Sequence, residues 1–313
     1  MAKYSKVYLL LVLAAILWGA QPVIVKVLLR ELSPLWITFY RYLGISTILL
    51  VILFLENGKN IVPPARHFFV LVLMGFSGIT LNNLLQFGGL QYSTAINCTL
   101  VSATTPALTA VTSAVFLREK INAVQWAGIV VAVCGVVFLV AHGSLAVILN
   151  LSFNHGDILF FASQICWAAY SILGRKVMLE ISPLAATAWA GFAGTVLTGI
   201  LLPWFGAGTT AQITSGGMFS LLYLIIGGGV LAMTWWNIGV KEVGPTKAAI
   251  FINIMPLVGM TFAVIFLGEH AGWHEFLGAL SIVSGVYLTT QSHQLSWWSR
   301  RLNRLESSRD QHM

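Results

Sequence analysis

The amino-acid sequence predicts an all-α membrane protein with ten transmembrane helices, arranged as two inverted five-helix repeats with both termini in the cytoplasm. Three observations predict this fold class. The 313 residues are 58% hydrophobic and only 9% charged, whereas soluble domains carry about 25% charged residues. The apolar residues form runs of about 20, the length that an α-helix needs to cross the hydrocarbon core. One pattern of residues also occurs twice along the chain.

Ten apolar runs define the predicted spans, and no segment between them is long enough for a soluble catalytic domain. The first run follows Lys3 and Lys6, as in a signal peptide. At about 22 residues it is longer than a signal peptide's apolar region, and it lacks a clear cleavage site, so it is interpreted as the first span. The predicted spans are 7–28, 34–54, 68–90, 96–117, 122–141, 157–178, 183–202, 217–238, 247–267 and 274–290.

The basic residues predict the orientation in the membrane. With the N-terminus inside, Lys26 and Arg30 lie outside and Arg41 lies within the second span, which leaves 14 of the 17 basic residues on the cytoplasmic side. An even number of spans returns the C-terminus to that side. The net charge of +7 is therefore attributed to topology, and no nucleic-acid partner is expected.

The internal repeat extends through both halves at a nearly constant offset. The Ser-Pro-Leu at 33–35 recurs at 182–184, and the Phe-Leu-x-Glu at 116–119 recurs at 266–269. Each repeat holds five spans, and an odd number starts the second copy on the opposite side of the membrane, which inverts it. The predicted units are a first repeat at 1–145, a second repeat at 155–290 and a basic cytoplasmic tail at 291–313.

In their order and duplication these motifs resemble the drug/metabolite transporter superfamily, specifically the EamA-type ten-helix exporters. The resemblance is carried by Trp18-Gly19, Lys26, the Ser-Pro-Leu at 33–35, Arg41, the stretch from Ala95 to Glu119 and its echo from Pro256 to Glu269. The second half departs from the pattern with Trp167-Ala168. The resemblance implies a carrier of small metabolites, amino acids or related compounds in the bacterial inner membrane.

Polar and aromatic residues inside the spans are the candidate substrate site, because polar groups in a bilayer are costly and usually face a cavity or another helix. The densest set lies in the third span, where Asn82 and Gln86 share a helix face. Hydrogen bonding between helices is the alternative for each residue. The candidates are Trp18, Gln21, Asn82, Asn83, Gln86, Thr105, Gln164, Trp167, Tyr170, Trp236 and Asn253.

The charged residues restrict the substrate class. All the acids fall at span ends or in loops, which disfavours cation exchange through a buried glutamate. Lys26 and Arg41 lie toward the outer half and could attract a carboxylate-bearing or zwitterionic solute. Two structural roles remain open. Lys26 could extend to the interface, and Arg41 could pair with a helix C-terminal carbonyl or with Glu31.

Prolines and small residues indicate where the helices could bend or approach each other. Pro22, Pro106 and Pro256 are candidate hinges, although each could equally be a static kink. The small residues of 128–132 and 281–285 allow close contact between helices or between two copies of the chain. Both a monomer and a homodimer are therefore compatible with the sequence.

The predicted function is that of a secondary transporter working by alternating access, with export of amino acids or related compounds as the leading role. A passive channel is the alternative. An intramembrane serine protease at Ser77, in Gly75-Phe76-Ser77-Gly78, is less favoured because every histidine lies in a loop, a tail or a span end. The protein is not expected to be an enzyme.

No metal or cofactor is predicted. His270 and His274, with Glu275, have the spacing of a metal pair, but they fall in a predicted outer loop and are interpreted as solvated. The expected partners are a small-molecule substrate and the lipid bilayer.

Overall fold

Five stretches of the chain are described by a computed structural model: residues 2–58, 61–117, 122–150, 153–206 and 213–288. Within these stretches the protein is helical and contains no β-strand. The predicted all-α membrane class is therefore confirmed for this part of the chain. The predicted tail at 291–313 lies outside the described residues, and so does Glu119 of the Phe-Leu-x-Glu motif.

Five longer helices form the first half of the chain. They are α1 (Ala2–Leu28), α2 (Pro34–Asn57), α3 (Ala65–Gly89), α4 (Ala95–Phe116) and α5 (Ala123–Val140). A short helix at Leu145–Leu149 then leads toward the second half.

Five longer helices also form the second half. They are α6 (His155–Val177), α7 (Pro183–Phe205), α8 (Ser215–Val243), α9 (Pro245–Leu267) and α10 (273–288).

In the described residues, eight helices are long and apolar enough to cross a membrane. They are all of the longer helices except α5 and α10. The apolar part of α5 is the shorter segment Ala123–Leu139. The predicted count of ten spans depends on these two helices, and the count and the cytoplasmic location of both termini remain predictions.

The Ser-Pro motifs mark the starts of α2 and α7. The side chain of Ser33 accepts the N–H of Trp36, and Ser182 accepts an N–H of the first turn of α7 in the same way. A serine at this position satisfies one of the donors that a helix start leaves unpaired. Pro34 and Pro183 follow, where a missing N–H costs no helical hydrogen bond.

Two helices contain a π-helical turn near their middle. The turn in α3 is Gly75–Leu81, and the turn in α8 is Ile226–Leu231. A Cβ atom on Gly75 would lie 2.7 Å from the backbone nitrogen of Gly194 in α7. Glycine at this position therefore lets the two helices touch through their backbones, and π-helical turns are frequent at functional sites.

Two other helices are interrupted just before a proline. In α4 the helix breaks between Ser102 and Thr105, and in α9 it passes through a 3-10 turn at Ile250–Ile254. Pro106 and Pro256 lie in the first turn of the helical segment that follows each break. By contrast, Pro22 lies inside the continuous helix α1.

Helices α2 and α7, which begin with the repeated motif, run antiparallel where they touch. At one end the Nε1 of Trp36 donates to the carbonyl of Gly206 at 3.0 Å. Further along α2, the hydroxyl of Ser46 lies 3.5 Å from the hydroxyl of Thr195. Residue numbers therefore rise along one helix as they fall along the other.

The small-residue faces of α5 and α10 pack against each other within one chain. A Cβ atom on Gly135 would lie 2.9 Å from Cβ of Ser281, and one on Gly285 would lie 2.5 Å from the carbonyl oxygen of Gly128. These close contacts use the faces that the sequence also made available to a second copy of the chain.

Candidate functional site

A cavity lined by both polar and aromatic side chains lies between seven helices. About 50 Å³ of its space is open to the centres of water-sized molecules. That is room for a few waters, so a larger solute requires the helices to move apart. The cavity brings together nine of the residues singled out from the sequence, namely Trp18, Gln21, Pro22, Arg41, Asn82, Asn83, Gln86, Gln164 and Trp167.

Arg41 supplies a positive charge to this cavity. The residue is 2% exposed, and its guanidinium donates to Asn83 Oδ1 and Gln21 Oε1, each at 2.8 Å, and to the carbonyl of Gly228 at 3.2 Å. Its Nε has no partner among the described residues. All three acceptors are neutral, and none of the ion pairs in the described stretches includes Arg41. Its charge is therefore stabilised by neutral groups, and these include the rings of Tyr42 and Phe87, whose centroids lie 5.2 and 5.8 Å from Cζ of Arg41.

Glu31, considered from the sequence as a partner of Arg41, pairs elsewhere. Its carboxylate accepts the backbone N–H of Thr214 at 2.9 Å and the hydroxyl of Thr214 at 2.6 Å. These two bonds, the side-chain bond first, lower the pKa of Glu31 below its usual value. The proposed Arg41–Glu31 pair is thus wrong, because the carboxylate is committed to the start of α8.

The amide side chains of the cavity differ in how fully they are satisfied. Asn82 Nδ2 donates to the carbonyl of Ser163 at 2.8 Å. The amide of Gln164 accepts from Thr105 at 2.8 Å and donates to the hydroxyl of Ser163 at 2.9 Å. By contrast, the described residues give the side chain of Gln86 no hydrogen bond. Its amide is therefore available to a solute.

A cluster of aromatic rings forms one wall of the cavity. The rings of Trp18 and Trp167 meet edge to face at 5.2 Å, and Trp236 packs against both, at 5.5 and 5.8 Å. Tyr170 stacks on Trp167 at 5.0 Å. The Nε1 of Trp18 donates to the carbonyl of Gly228 at 2.8 Å, the same carbonyl that Arg41 uses.

Four predicted site residues lie outside the cavity lining. Thr105 is one layer behind it and holds Gln164, while Tyr170 and Trp236 support the tryptophan wall. Asn253 lies in the 3-10 turn of α9, where its Oδ1 is buried without a partner among the described residues. These residues belong to the surroundings of the cavity, not to its surface.

Five residues that line the cavity were not among the site residues predicted from the sequence. Their side chains are either apolar or of a kind that is abundant in membrane helices, so no periodicity distinguishes them from core residues. The location of Met255 beside Pro256, a predicted hinge, is the one signal that could have identified it. These residues are Tyr42, Ser102, Met233, Ile252 and Met255.

Lys26 does not line the cavity but belongs to an ion pair. Its ammonium lies 2.9 Å from Glu269 Oε1 and donates to the carbonyl of Ser93 at 2.9 Å. Glu269 also accepts the backbone N–H groups of Ala95 and Ile96, at 2.9 and 3.0 Å. A carboxylate here is favoured because the start of a helix carries partial positive charge. The cluster therefore ties α1, α4 and α9 together.

Asp157 forms a second polar contact next to this cluster. It lies in the first turn of α6 and is fully buried. Its carboxylate accepts from the hydroxyl of Ser93 at 2.5 Å and from Asn97 Nδ2 at 3.2 Å. The starts of α4 and α6 are thereby joined, which the sequence did not indicate because Asp157 appeared only as an acid at a span end.

Ser77, the candidate protease nucleophile, bonds within its own helix. Its hydroxyl donates to the carbonyl of Leu73 at 2.8 Å. In the described stretches no hydrogen bond joins Ser77 to a histidine, whereas nucleophilic catalysis needs an adjacent base. The geometry therefore offers this alternative no support.

Long apolar helices around a buried cavity define a multi-pass helical membrane protein. The model of the EamA-like transporter family matches residues 5–141 and again residues 154–291. The chain therefore belongs to the EamA-like transporter family, and it is a membrane transporter.

Curated relatives agree with this family. An uncharacterized transporter of Archaeoglobus fulgidus is 30% identical over 93% of this chain and 99% of its own length. YyaM, an uncharacterized transporter of Bacillus subtilis, is 29% identical over 91% of this chain and 93% of its own. The uncharacterized inner membrane transporter YedA of Escherichia coli K12 is 27% identical over 88% and 87%.

A solved crystal structure has the same fold. It superimposes with a TM-score of 0.67 over 95% of this chain and 99% of the other, at 18% sequence identity. At this identity the likeness concerns the fold alone.

Proposed function

We propose that this transporter is a secondary carrier that exports small carboxylate-bearing metabolites, with amino acids as the leading class, across the bacterial inner membrane. The observation that carries the proposal is the unneutralised guanidinium of Arg41 in the cavity. The inner-membrane location is proposed because the Escherichia coli relative is named an inner membrane transporter. The direction of transport follows the resemblance to exporters.

A buried guanidinium without a counter-ion favours an anionic solute. A charged side chain in the membrane interior costs about 3 kcal/mol or more, and neutral dipoles offset only part of this. A carboxylate that enters the cavity supplies the missing charge and can accept a charge-assisted hydrogen bond from the Nε–H of Arg41, which has no partner among the described residues. Binding of the solute is then coupled to neutralisation of Arg41.

The other lining groups fit the rest of an amino-acid-like molecule. Trp18 and Trp167 offer flat apolar surfaces, and Gln86 offers an amide that can donate and accept. Small-molecule sites commonly combine apolar walls with a few polar groups that fix orientation. The cavity thus provides one anchor for charge, one for hydrogen bonding and a wall for an apolar side chain.

Alternating access is supported by the way the two halves meet. Equivalent helices run antiparallel in the α2–α7 pair, as expected for two inverted repeats. The breaks in α4 and α9 and the π-helical turns in α3 and α8 border the cavity and give these helices places to bend. Because the free space is small, opening on either side requires such movement.

The test is uptake into proteoliposomes from a pooled mixture of metabolites. Wild type is compared with Arg41→Gln, Trp18→Ala, Asn82→Ala and Gln86→Ala. Each variant should take up its substrate at least about tenfold more slowly, the equivalent of 1.4 kcal/mol. Arg41→Gln should also abolish the preference for a carboxylic acid over its amide.

The matched control is Gln91→Ala, which removes an exposed amide from the turn after α3 and should transport like wild type. Equal uptake by wild type and all four cavity variants would refute the site. A carrier shows saturation and counterflow, so unsaturable uptake would instead favour the passive channel.

A further inference from the structure

Three metal-ligating side chains from distant parts of the chain meet at the ends of α5 and α10. His142 follows α5, whereas His274 and Glu275 lie in the first turn of α10. Their ligand atoms all lie within 4.8 Å of one another. The sequence pointed only to the spacing of His270 and His274, because nothing in it brings His142 to this place.

The separation of the two histidine nitrogens matches that of two ligands on one zinc ion. Nε2 of His274 lies 3.3 Å from Nδ1 of His142 and 2.8 Å from Oε1 of Glu275. Two nitrogens bound tetrahedrally to zinc, each about 2.0–2.1 Å from it, are about 3.3–3.4 Å apart. Because an imidazole nitrogen carries only one proton or one lone pair, Nε2 of His274 cannot form a full hydrogen bond to each of its two neighbours. A metal ion bound between the three side chains would satisfy all of them at once.

The backbone and its neighbours hold the three ligands in place. His142 has a φ of 51°, the left-handed region that L residues rarely adopt, and in the described stretches it is the one residue other than glycine that does so. The Oε2 of Glu275 accepts the N–H of Gly272 at 2.8 Å, which leaves Oε1 directed at His274. Such a second bond orients a ligating carboxylate.

A tryptophan fixes the ring positions. Trp273 packs edge-on against Phe138 of α5 at 5.7 Å and against the ring of His274 at 5.9 Å. A Cβ atom on Gly143 would lie 2.5 Å from this indole. The loop after α5 and the start of α10 are therefore already packed together, so binding requires little rearrangement.

We propose that His142, His274 and Glu275 form a site for a divalent ion of the zinc class, with water as the fourth ligand. Two imidazoles and one carboxylate suit zinc and related transition metals better than calcium or magnesium, which prefer oxygen ligands alone. The ion links the end of α5 to the start of α10. In the predicted topology it is taken from the outer side.

Direct metal binding by the purified protein tests this site. Tag-free protein in detergent is titrated with Zn²⁺ by calorimetry, and with Co²⁺, whose visible absorption reports four-coordinate geometry. Wild type should bind about one ion at this site. His142→Gln, His274→Gln and Glu275→Gln should each weaken binding by more than about tenfold and remove the absorption bands.

The controls separate this site from other histidines. His270→Gln changes a neighbouring histidine of the same loop, and His293→Gln and His312→Gln change those beyond residue 288. All three should bind like wild type. Glu275→Gln keeps an acceptor for the N–H of Gly272, so an unchanged melting temperature shows that its loss of metal is not unfolding. Wild type that fails to bind, or His274→Gln that binds normally, overturns the proposal.

Discussion

Single residues in this transporter are held by partners far away in sequence. Arg41 bonds to Gly228 of the other half of the chain, and Lys26 bonds to Glu269. Each of these contacts ties helices of one half to helices of the other. Arg41 is therefore held by dipoles from both halves, whereas Lys26 pairs with a carboxylate of the other half.

Glu31 provides a pH-dependent example outside the spans. Because its bonds to Thr214 lower its pKa in the folded state, they contribute stability above the unfolded pKa, about 4.3. This contribution is lost as the pH falls through the lower, folded pKa. Glu31→Gln should therefore melt at a lower temperature than wild type at neutral pH, and the gap should close on acidification.

Melting curves in detergent between about pH 3 and 7 measure this gap. Glu56→Gln changes an exposed carboxylate near the end of α2 and serves as the control. A gap between wild type and Glu31→Gln that stays constant over the whole pH range would contradict the role assigned to Thr214.

The location of the charged residues could be predicted from the sequence, but their partners could not. The run of apolar residues around Arg41 shows that it lies inside a span. Which carbonyl or amide it bonds to depends on the packing of helices that are distant in sequence, since Arg41 and Gly228 are 187 residues apart. Because the sequence does not show this packing, it suggested Glu31 as a partner of Arg41, whereas in the structure Glu31 bonds to Thr214.

Helices in this molecule approach each other through glycine. Neighbouring residues at the end of α3 show the contrast. A Cβ atom on Gly89 would lie 2.6 Å from the ring of Phe160 and 2.8 Å from the carbonyl oxygen of Gly156, whereas one on Gly88 would find nothing nearer than Leu159 at 3.9 Å. The first glycine is required by packing, and the second is not.

Gly89→Ala should accordingly destabilise the protein by about 1–3 kcal/mol, because the added methyl group meets a backbone oxygen that cannot move away. Gly88→Ala is the matched control, and it should be neutral or stabilising by up to about 1 kcal/mol, since alanine favours helix. Melting temperatures in detergent compare the two. Equal effects of the two substitutions would show that the α3–α6 contact is looser than described.

The long helices follow from the apolar runs, and their bounds agree with the predicted spans to within several residues in α2 and α7. The irregular turns do not follow from the runs, because a π-helical turn depends on which neighbour presses against it. The breaks before Pro106 and Pro256 could be predicted only in part. Proline indicates where a helix can begin again, but not that a 3-10 turn precedes it.

At the scale of the whole molecule, the cavity lies where helices of both halves meet. Seven helices surround it. Four of them, α1 to α4, belong to the first half of the chain, and three, α6, α8 and α9, belong to the second. Antiparallel contact of α2 with α7 agrees with the inversion that the repeat predicts. Under the proposed alternating access, a tilt of one half against the other would open this cavity to one side or the other.

The predicted topology is tested with reporter fusions in a bacterial host. A fluorescent protein that matures only in the cytoplasm should be active at either terminus, because an even number of crossings leaves both ends inside. A phosphatase that is active only outside should report after residue 150, in a predicted outer loop. Termini on opposite sides of the membrane would rule out ten crossings and the inverted arrangement with them.

The carbonyl of Gly228 has a consequence for how transport could be coupled to helix winding. In the π-helical turn of α8, the N–H of Ala232 donates to the carbonyls of Gly227, five residues back, and Gly229. Regular α-helical pitch would redirect that N–H to the oxygen of Gly228, in competition with Trp18 and Arg41. Rewinding one turn of α8 would thus withdraw an acceptor from the guanidinium, which would then bind a solute carboxylate more tightly.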